Sequence, residues 1–302
     1  MRTAICTKYG SPDFVIIENR QKPTPKNNEI LIRIHASTVS SGDCRVRGAN
    51  TPSYYKPMIW LIFGIGKPRK SILGTELSGQ IETVGKNVTK FKQGDSVFAM
   101  TGMKMGAHAE YITLSENGKI AQKPNNISYE HAAAIAFGGT TALHFFRKGN
   151  LQKNHKILIY GASGAVGTSA VQIAKHFGAE VTGVCSKTNM GLVKSLGADY
   201  VIDYASENFR NKNVRYDVIF DAVGKITKSS CKNVLAAGGK YVSVNKGFAS
   251  ERIEDMQLLG ELVQTGKLVP VIDKLYTLEQ IVDAYNYADT GHKRGNIVIK
   301  IL

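Results

Sequence analysis

No stretch of this chain is apolar for long enough to cross a membrane. Its most apolar window, Met58–Ile65, is far short of the ~20 residues that a spanning helix needs. The opening residues, MRTAICTKYG, lack the apolar core of a secretory signal. Cysteine is sparse and scattered, at Cys6, Cys44, Cys185 and Cys231, with no C-x-x-C pair. That is the usage of a reduced cytosolic chain. There is no internal repeat, no low-complexity segment and, despite a formal charge of +15, no long run of Lys or Arg. The densest basic clusters are short: Lys67, Arg69 and Lys70, then His292, Lys293 and Arg294. A nucleic-acid face concentrates its charge on one stripe, so this dispersed charge is expected to keep the chain soluble and to steer an anionic ligand inward. The phosphate loop G-x-x-x-x-G-K-[ST] is absent, which argues against nucleoside triphosphate chemistry, and no tyrosine has a lysine four residues on. These absences predict a soluble cytoplasmic protein with neither a membrane nor a nucleic acid as partner.

What the chain does have is the run KILIYGASGAVGTSAVQIAKHFGAEVTGVCS, Lys156 to Ser186. It reads as a strand, a glycine turn, a helix and a second strand. The apolar residues Ile157–Tyr160 feed Gly161, Gly164 and Gly167, spaced G-x-x-G-x-x-G, and a helix is expected from about Ala165. Glycines so placed let a turn close, let backbone N–H groups reach a pyrophosphate, and let helix pack on strand. The positive end of the helix dipole then faces the phosphates. Ser163, Ala165 and Val166 fill the same turn and count among the expected contacts. The bland alternative is a tight strand-to-helix turn with no ligand.

The end of the second strand selects the dinucleotide. An NAD site commonly holds the ribose 2′-OH with an acid there. Here the strand Glu180–Val184 is followed by Cys185, Ser186 and Lys187, and no acid appears before Asp199. A hydroxyl and an ammonium favour a 2′-phosphate that a carboxylate would repel, so NADPH is expected. Lys187 as an ordinary solvated loop lysine is the competing reading.

At 302 residues the chain has room for about two domains. Beyond the glycine turn, strands recur near Tyr200–Asp203, Asp217–Asp221 and Lys240–Val244, with helical or loop segments such as Thr188–Leu196 and Ile226–Leu235 between them. Such βαβ alternation predicts a doubly wound parallel sheet. Residues 1–120 instead offer short strands, Ile30–Ile34, Gln80–Val84, Ser96–Met100 and Ala109–Thr113, separated by turns at Gly85–Asn87 and Gly94–Asp95. This half is expected to be mostly antiparallel β. A helix near Glu279–Ala288 and a last strand, Asn296–Ile301, follow, and that strand is expected to rejoin one of the two domains.

Taken in order, the motifs GTELSGQIETVG (Gly74–Gly85), FKQGDSVFA (Phe91–Ala99), GAHAEYI (Gly106–Ile112), YGASGAVG (Tyr160–Gly167), GADYVIDY (Gly197–Tyr204), GKLVPVID (Gly266–Asp273) and GHKRGNIVI (Gly291–Ile299) carry a family resemblance. The chain resembles the zinc-independent, quinone-oxidoreductase-like branch of the medium-chain dehydrogenases/reductases over essentially its whole length. The resemblance implies an α/β protein of two domains. One is a GroES-like, mostly antiparallel β catalytic domain from residues 1–121 and 271–302. The other is a Rossmann dinucleotide-binding domain with a doubly wound parallel sheet, residues 122–270. It places the active site in a cleft between them and adds Tyr204, at the end of the VIDY motif, as a third phosphate contact. Most relatives carry an extra strand within the region of Tyr241–Val263 that pairs across a dimer. Its absence here implies a monomer or a homodimer with an altered interface, with Lys246, Glu251 and Arg252 charging the trimmed edge.

Departures from the family matter as much. In zinc-dependent relatives a histidine follows the first glycine of the GTELSG motif; here that residue is Thr75. The early loop VSSGDCRVRG (Val39–Gly48) lacks the expected cysteine ligand, and AFGGTTA (Ala136–Ala142) offers Phe137 at the third position. Zinc wants about four N, S or O ligands, so no catalytic metal is expected. Without a Lewis acid, hydride transfer suits a quinone or an enone, which delocalises the charge it receives. Candidate polar groups lie in the early loop: Ser40, Asp43 and Tyr54. Asp43 falls on the family's N-P-x-D pattern, in which Asn and Pro are here Ser40 and Ser41; a helix cap is the structural alternative. Tyr54 and Tyr55 either line a pocket or pack against Trp60 and Phe63. The expected function is an NADPH-dependent reductase of a small apolar substrate, a quinone, enone or related carbonyl. The alternative is an NADPH-binding sensor without turnover, because fold does not determine function.

Overall fold

The computed structural model describes residues 1–49, 64–247 and 249–302. They form two compact units, Met1–Ala136 together with Ile272–Leu302, and Phe137–Val271.

In the first unit, β1 (Arg2–Cys6) and β2 (Val15–Asn19) make an antiparallel ribbon. The spine is β3 (Glu29–Thr38), whose alternating Ile30, Ile32 and Ile34 share one face and are fully buried. Each such burial stabilises by about 1.5–3 kcal/mol. After β3 the chain enters helix α1 (Ser41–Gly48). The strand β4 (Glu76–Val84) pairs antiparallel with β3, and β5 (Ser96–Met100) with β4. Two more, β6 (Tyr111–Ser115) and β7 (Lys119–Gln122), pair antiparallel with β3 and β5 respectively. Helix α2 (Tyr129–Ala133) packs on this sheet, where Ala133 and Ala134 join Ala36 and Val298 in a small core. That packing carries the unit to Ala136, past residue 121.

The second unit opens on α3 (Ala136–Gly149), of which residues 137–149 belong to it. Then come β8 (Lys156–Tyr160), α4 (Ala165–His176), β9 (Glu180–Cys185), α5 (Met190–Ser195), β10 (Tyr200–Asp203), β11 (Tyr216–Asp221), β12 (Leu235–Ser243) and α6 (Ile253–Gln264). The five strands are all parallel, in the order β10-β9-β8-β11-β12. Ile157, Leu158, Ile159, Val218, Ile219 and Phe220 are wholly buried, as a sheet covered on both faces requires. Phe145 and Phe146 of α3 pack on Phe220, with ring centroids 5.4 and 5.8 Å away. Strand order reverses between β8 and β11. In open parallel sheets, ligands bind outside the carboxyl ends of the strands at such a reversal.

Local boundaries depart from the sequence reading in ways that have physical causes. The stretch 226–235, expected to be helical or loop, holds a 3-10 turn, Ser229–Val234. β12 starts at Leu235, earlier than Lys240, because its pairing shifts register between Tyr216↔Leu235 and Val218↔Lys240, where residues 236–239 stand against the single Asp217. Among the described residues no strand lies beyond β12, which forms the edge of this sheet.

The tail brings β13 (Ile272–Thr277), α7 (Ile281–Asp289) and β14 (Asn296–Lys300). A 3-10 turn, Leu278–Gln280, takes the first residues expected of the helix. β14 pairs with β13 on one side and β3 on the other, and buries Ile297 and Ile299 in the first unit's core.

Candidate active site

The glycine turn lies between β8 and α4, at the sheet's reversal point. Gly161 adopts φ +83°, a conformation that side chains rarely accept, and a β-carbon there would collide with Val223. The N–H groups of Gly161 and Ala162 donate to Val184 O at 2.9 and 3.0 Å, and Gly164 N–H returns to Gly161 O at 3.2 Å. Those three donors therefore hold the turn itself. Gly164 is the N-cap of α4 and supplies no capping side chain. The first-turn N–H groups of Ala165, Val166 and Gly167 have no partner within the helix, and together with the helix dipole they form an anion site.

The three glycines have different tasks. A β-carbon on Gly167 would stand 2.7 Å from Ala162 Cα and would overlap the Gly161 carbonyl, so this glycine lets helix pack on turn. A β-carbon on Gly164 meets nothing closer than Gly161 O at 3.7 Å, in ordinary backbone at φ −80°. Gly164 thus borders open space in front of the free N–H groups. A pyrophosphate fits that cradle; a β-carbon would intrude on it.

Two flanking supports were not visible in the sequence. Asp221, fully buried at the end of β11, accepts from Gly224 N–H at 2.7 Å, Val223 N–H at 3.2 Å, Ile226 N–H at 3.2 Å and Ser243 Oγ at 3.2 Å. It thereby fixes the loop that carries Val223 over Gly161. Asn189 donates from Nδ2 to Ser163 Oγ at 3.1 Å, tying the segment after β9 to the glycine turn.

Ser186, Lys187 and Tyr204 converge because β9 and β10 run in register. Cys185 pairs with Asp203, and Tyr204 N–H donates to Cys185 O at 3.1 Å. Ser186 is half-buried, while Lys187 and Tyr204 are exposed. An acid does stand near: the Ala205 N–H, ahead of the Ser206 hydroxyl and Lys187, holds the Asp203 carboxyl below the usual range. Its Oδ1 is bound to Ala205 N at 3.0 Å and its Oδ2 to Ser206 Oγ at 3.0 Å, so it braces its own turn.

In the first unit, Ser40 and Asp43 form a reciprocal capping box at the start of α1. Asp43 is fully buried. Its Oδ2 accepts from Ser40 N at 2.8 Å and Ser40 Oγ at 2.6 Å, and its Oδ1 accepts from Gly74 N at 3.1 Å. Both oxygens are therefore occupied, and Asp43 braces α1 against the segment before β4. Ser40 Oγ also lies 3.0 Å from Thr75 Oγ1, which links the candidate loop to the GTELSG motif. Tyr54 and Tyr55, with Trp60 and Phe63, lie outside the described residues. Nearby, burial draws the His108 imidazole below its usual value; its Nε2 is 2.9 Å from Thr38 O and its Nδ1 3.4 Å from Tyr285 OH. Burial also pushes the Cys44 thiol up to about 12. Lys293, read above as part of a short basic cluster, is half-buried, and burial draws its ammonium below the usual lysine value. The residues at the two zinc positions named above do not fit a metal: Thr75 carries a hydroxyl bonded to that of Ser40, and the Phe137 side chain has no ligating atom.

Comparison with known proteins places these features in a family. Residues 26–125 match the family described as alcohol dehydrogenase GroES-like domain. Residues 165–268 and 246–299 match families described as zinc-binding dehydrogenase. A 2-methylene-furan-3-one reductase of Solanum lycopersicum is 32% identical over 97% of this chain and 77% of its own length. An Arabidopsis thaliana protein named NADPH-dependent alkenal/one oxidoreductase, chloroplastic, is 29% identical over 99% of this chain and 79% of its own. The solved quinone oxidoreductase from Coxiella burnetii superposes with a TM-score of 0.86 at 26% identity, covering 100% of this chain and 99% of that one. A glycine turn at the reversal of a parallel sheet, an antiparallel unit completed by the chain's tail, and likeness along nearly the full length converge: the chain belongs to the medium-chain dehydrogenase/reductase family, in its quinone-oxidoreductase-like branch.

Proposed function

We propose that the protein is an NADPH-dependent oxidoreductase that reduces quinones, enones or related carbonyls without zinc. The observation that carries this reading is the cradle at Gly164, open in front of the unpaired first-turn N–H groups of α4. Ala165, Val166 and Gly167 bind the pyrophosphate through backbone N–H, with the Ser163 hydroxyl beside them. Ser186, Lys187 and Tyr204 hold the 2′-phosphate by charge-assisted hydrogen bonds, which NADH cannot make. The bound nicotinamide supplies the hydride. On the first unit, Thr75 offers its hydroxyl to the substrate carbonyl, and Ser40, whose own proton goes to Asp43 Oδ2, is with Asp43 a positioning residue beside Thr75. A conjugated acceptor suits this metal-free set, because it spreads the incoming charge over several atoms. The names of the tomato, Arabidopsis and Coxiella relatives point to the same substrate classes. Among the described residues no helix is long and apolar enough to cross a membrane. The four cysteines are all free, which supports a cytosolic site of action.

The test is to follow the NADPH absorbance with a panel of quinones, enones and aldehydes, and to repeat it with NADH. Turnover with a quinone or an enone, faster with NADPH, is the expected result. Tight NADPH binding without turnover of any acceptor would make the protein a sensor and refute the enzyme reading.

A further inference from the structure

His144, on α3 of the second unit, is 9% exposed. Its Nδ1 accepts from the Ser250 N–H at 3.1 Å, so the neutral ring carries its own proton on Nε2. That Nε2 is buried and has no hydrogen-bond partner. A buried N–H without an acceptor costs free energy, which offsets part of what the Ser250 bond contributes. Ser250 belongs to the stretch 244–252 that joins β12 to α6. At its start, Val244 N–H donates to Asp221 O at 3.1 Å and Asn245 Nδ2 to Gly224 O at 2.8 Å. Towards its end, Arg147 Nη2 lies 3.5 Å from Ser250 O, and the same guanidinium pairs with Asp255 at 2.5 and 2.9 Å. The strands β8, β11 and β12 are parallel, so this stretch leaves the sheet at the same end as the glycine turn. Gly224, which Asn245 holds, follows Val223, the side chain that covers Gly161.

We propose that His144 is a positioning residue for the dinucleotide, a latch on the stretch 244–252 that its own protonation opens. This rests on the dinucleotide reading above. While Nδ1 accepts from Ser250, the stretch is held at both ends and Asn245 steadies the loop of Val223 beside the pyrophosphate cradle. A proton on Nδ1 turns two donors towards each other and breaks that bond. Burial, followed by the charges of Lys148 and Arg147 on the same helix, draws the His144 imidazole below its usual value, against the pull of Asp255 on α6. An N–H donor bonds only the unprotonated nitrogen, so the latched state resists the proton that the released state takes up near the ordinary value of about 6.5. The latch is therefore closed above that value, and each pH unit below it favours release by up to about tenfold. The competing account makes His144 a packing residue of α3 with no bearing on the cofactor.

The experiment titrates the full chain with NADP+, which withstands acid, from about pH 8 to about pH 5 in the wild type, His144→Asn and His144→Leu. An Asn Oδ1 can accept from the Ser250 N–H and does not titrate. That variant should match the wild type above about pH 7 and bind increasingly more tightly than it in acid, by up to about tenfold per pH unit. Leu offers no acceptor and should bind about 2–10-fold more weakly than Asn at every pH. The 2′-phosphate of the ligand titrates near pH 6 with all three proteins, so the ratio between proteins isolates residue 144. Amide hydrogen exchange should show the Ser250 N–H protected in the wild type near pH 8 and unprotected in the Leu variant. Superimposed wild-type and Asn affinity profiles would overturn the proposal. A lowered melting temperature in the Leu variant with unchanged NADP+ affinity would establish the packing account and overturn it as well. Failure of the wild type to bind NADP+ at any pH would instead refute the dinucleotide reading, and this proposal with it.

Discussion

Replacing Gly164 and Gly167 one at a time should separate binding from packing at the glycine turn. At Gly164 the backbone sits at φ −80°, which any residue accepts, and the nearest atom to an added β-carbon is 3.7 Å away. Gly164→Val should therefore fold with a melting temperature close to that of the parent. Its branched side chain, however, occupies the space before the N–H groups of Ala165, Val166 and Gly167. Losing two charge-assisted hydrogen bonds at about 1.5–3 kcal/mol each weakens NADPH binding by about 10²–10⁴-fold. Gly167→Ala should behave in the opposite way. Its β-carbon would stand 2.7 Å from Ala162 Cα, so helix and turn must part in a packed interior. Overpacking of this kind costs about 1–3 kcal/mol or more. For a chain of this size, that lowers the melting temperature by about 2–4 °C per kcal/mol. Calorimetry and an NADPH titration of both variants decide the matter. Normal NADPH binding by Gly164→Val would defeat the dinucleotide assignment. An undiminished melting temperature in Gly167→Ala would defeat the packing argument.

Three further outcomes are expected. Lys187→Ala should weaken NADPH by about 1–3 kcal/mol and NADH hardly at all, as measured by titration calorimetry; equal weakening would remove Lys187 from the 2′-phosphate site. Activity should survive prolonged dialysis against a strong chelator, and elemental analysis should find no stoichiometric zinc; loss on chelation that zinc restores would overturn the reading of Thr75 and Phe137. Asp43→Ala should cost about 2–4 kcal/mol in urea unfolding, because it removes a helix cap and strands the buried Gly74 N–H. A stability equal to the parent's would show that Asp43 braces nothing.

The parts of this protein legible in its sequence are those written over short distances. Gly161, Gly164 and Gly167 stand within one turn, and an apolar run before them sets a strand. Ser186 and Lys187 follow directly on β9, and Tyr204 joins them through a register that the motif VIDY already marks. The antiparallel and the parallel halves were visible because period-two and βαβ patterns differ over tens of residues, and the motif order then carried the resemblance that implies GroES-like and Rossmann domains. What stayed hidden depends on pairs far apart in the chain. Nothing near Asp43 announces that Gly74 will occupy its second oxygen. The glycine motif likewise could not say which glycine faces the ligand and which faces the helix, because both needs select the same residue.

The place of β14 in the first sheet has a consequence for how the molecule is made. This strand lies between β13 and β3, so the sheet that begins with residues near the N-terminus closes only when residues 296–300 arrive. The second unit, residues 137–271, is one continuous stretch and is synthesised entirely before that closure. On the ribosome, which adds about 5–20 residues each second, the Rossmann half can therefore complete its sheet while β3 still shows an unpaired edge. During that interval the open edge is the stretch Ala36–Thr38, and the late arrival of Val298–Lys300 pairs it while Ile297 and Ile299 enter the core.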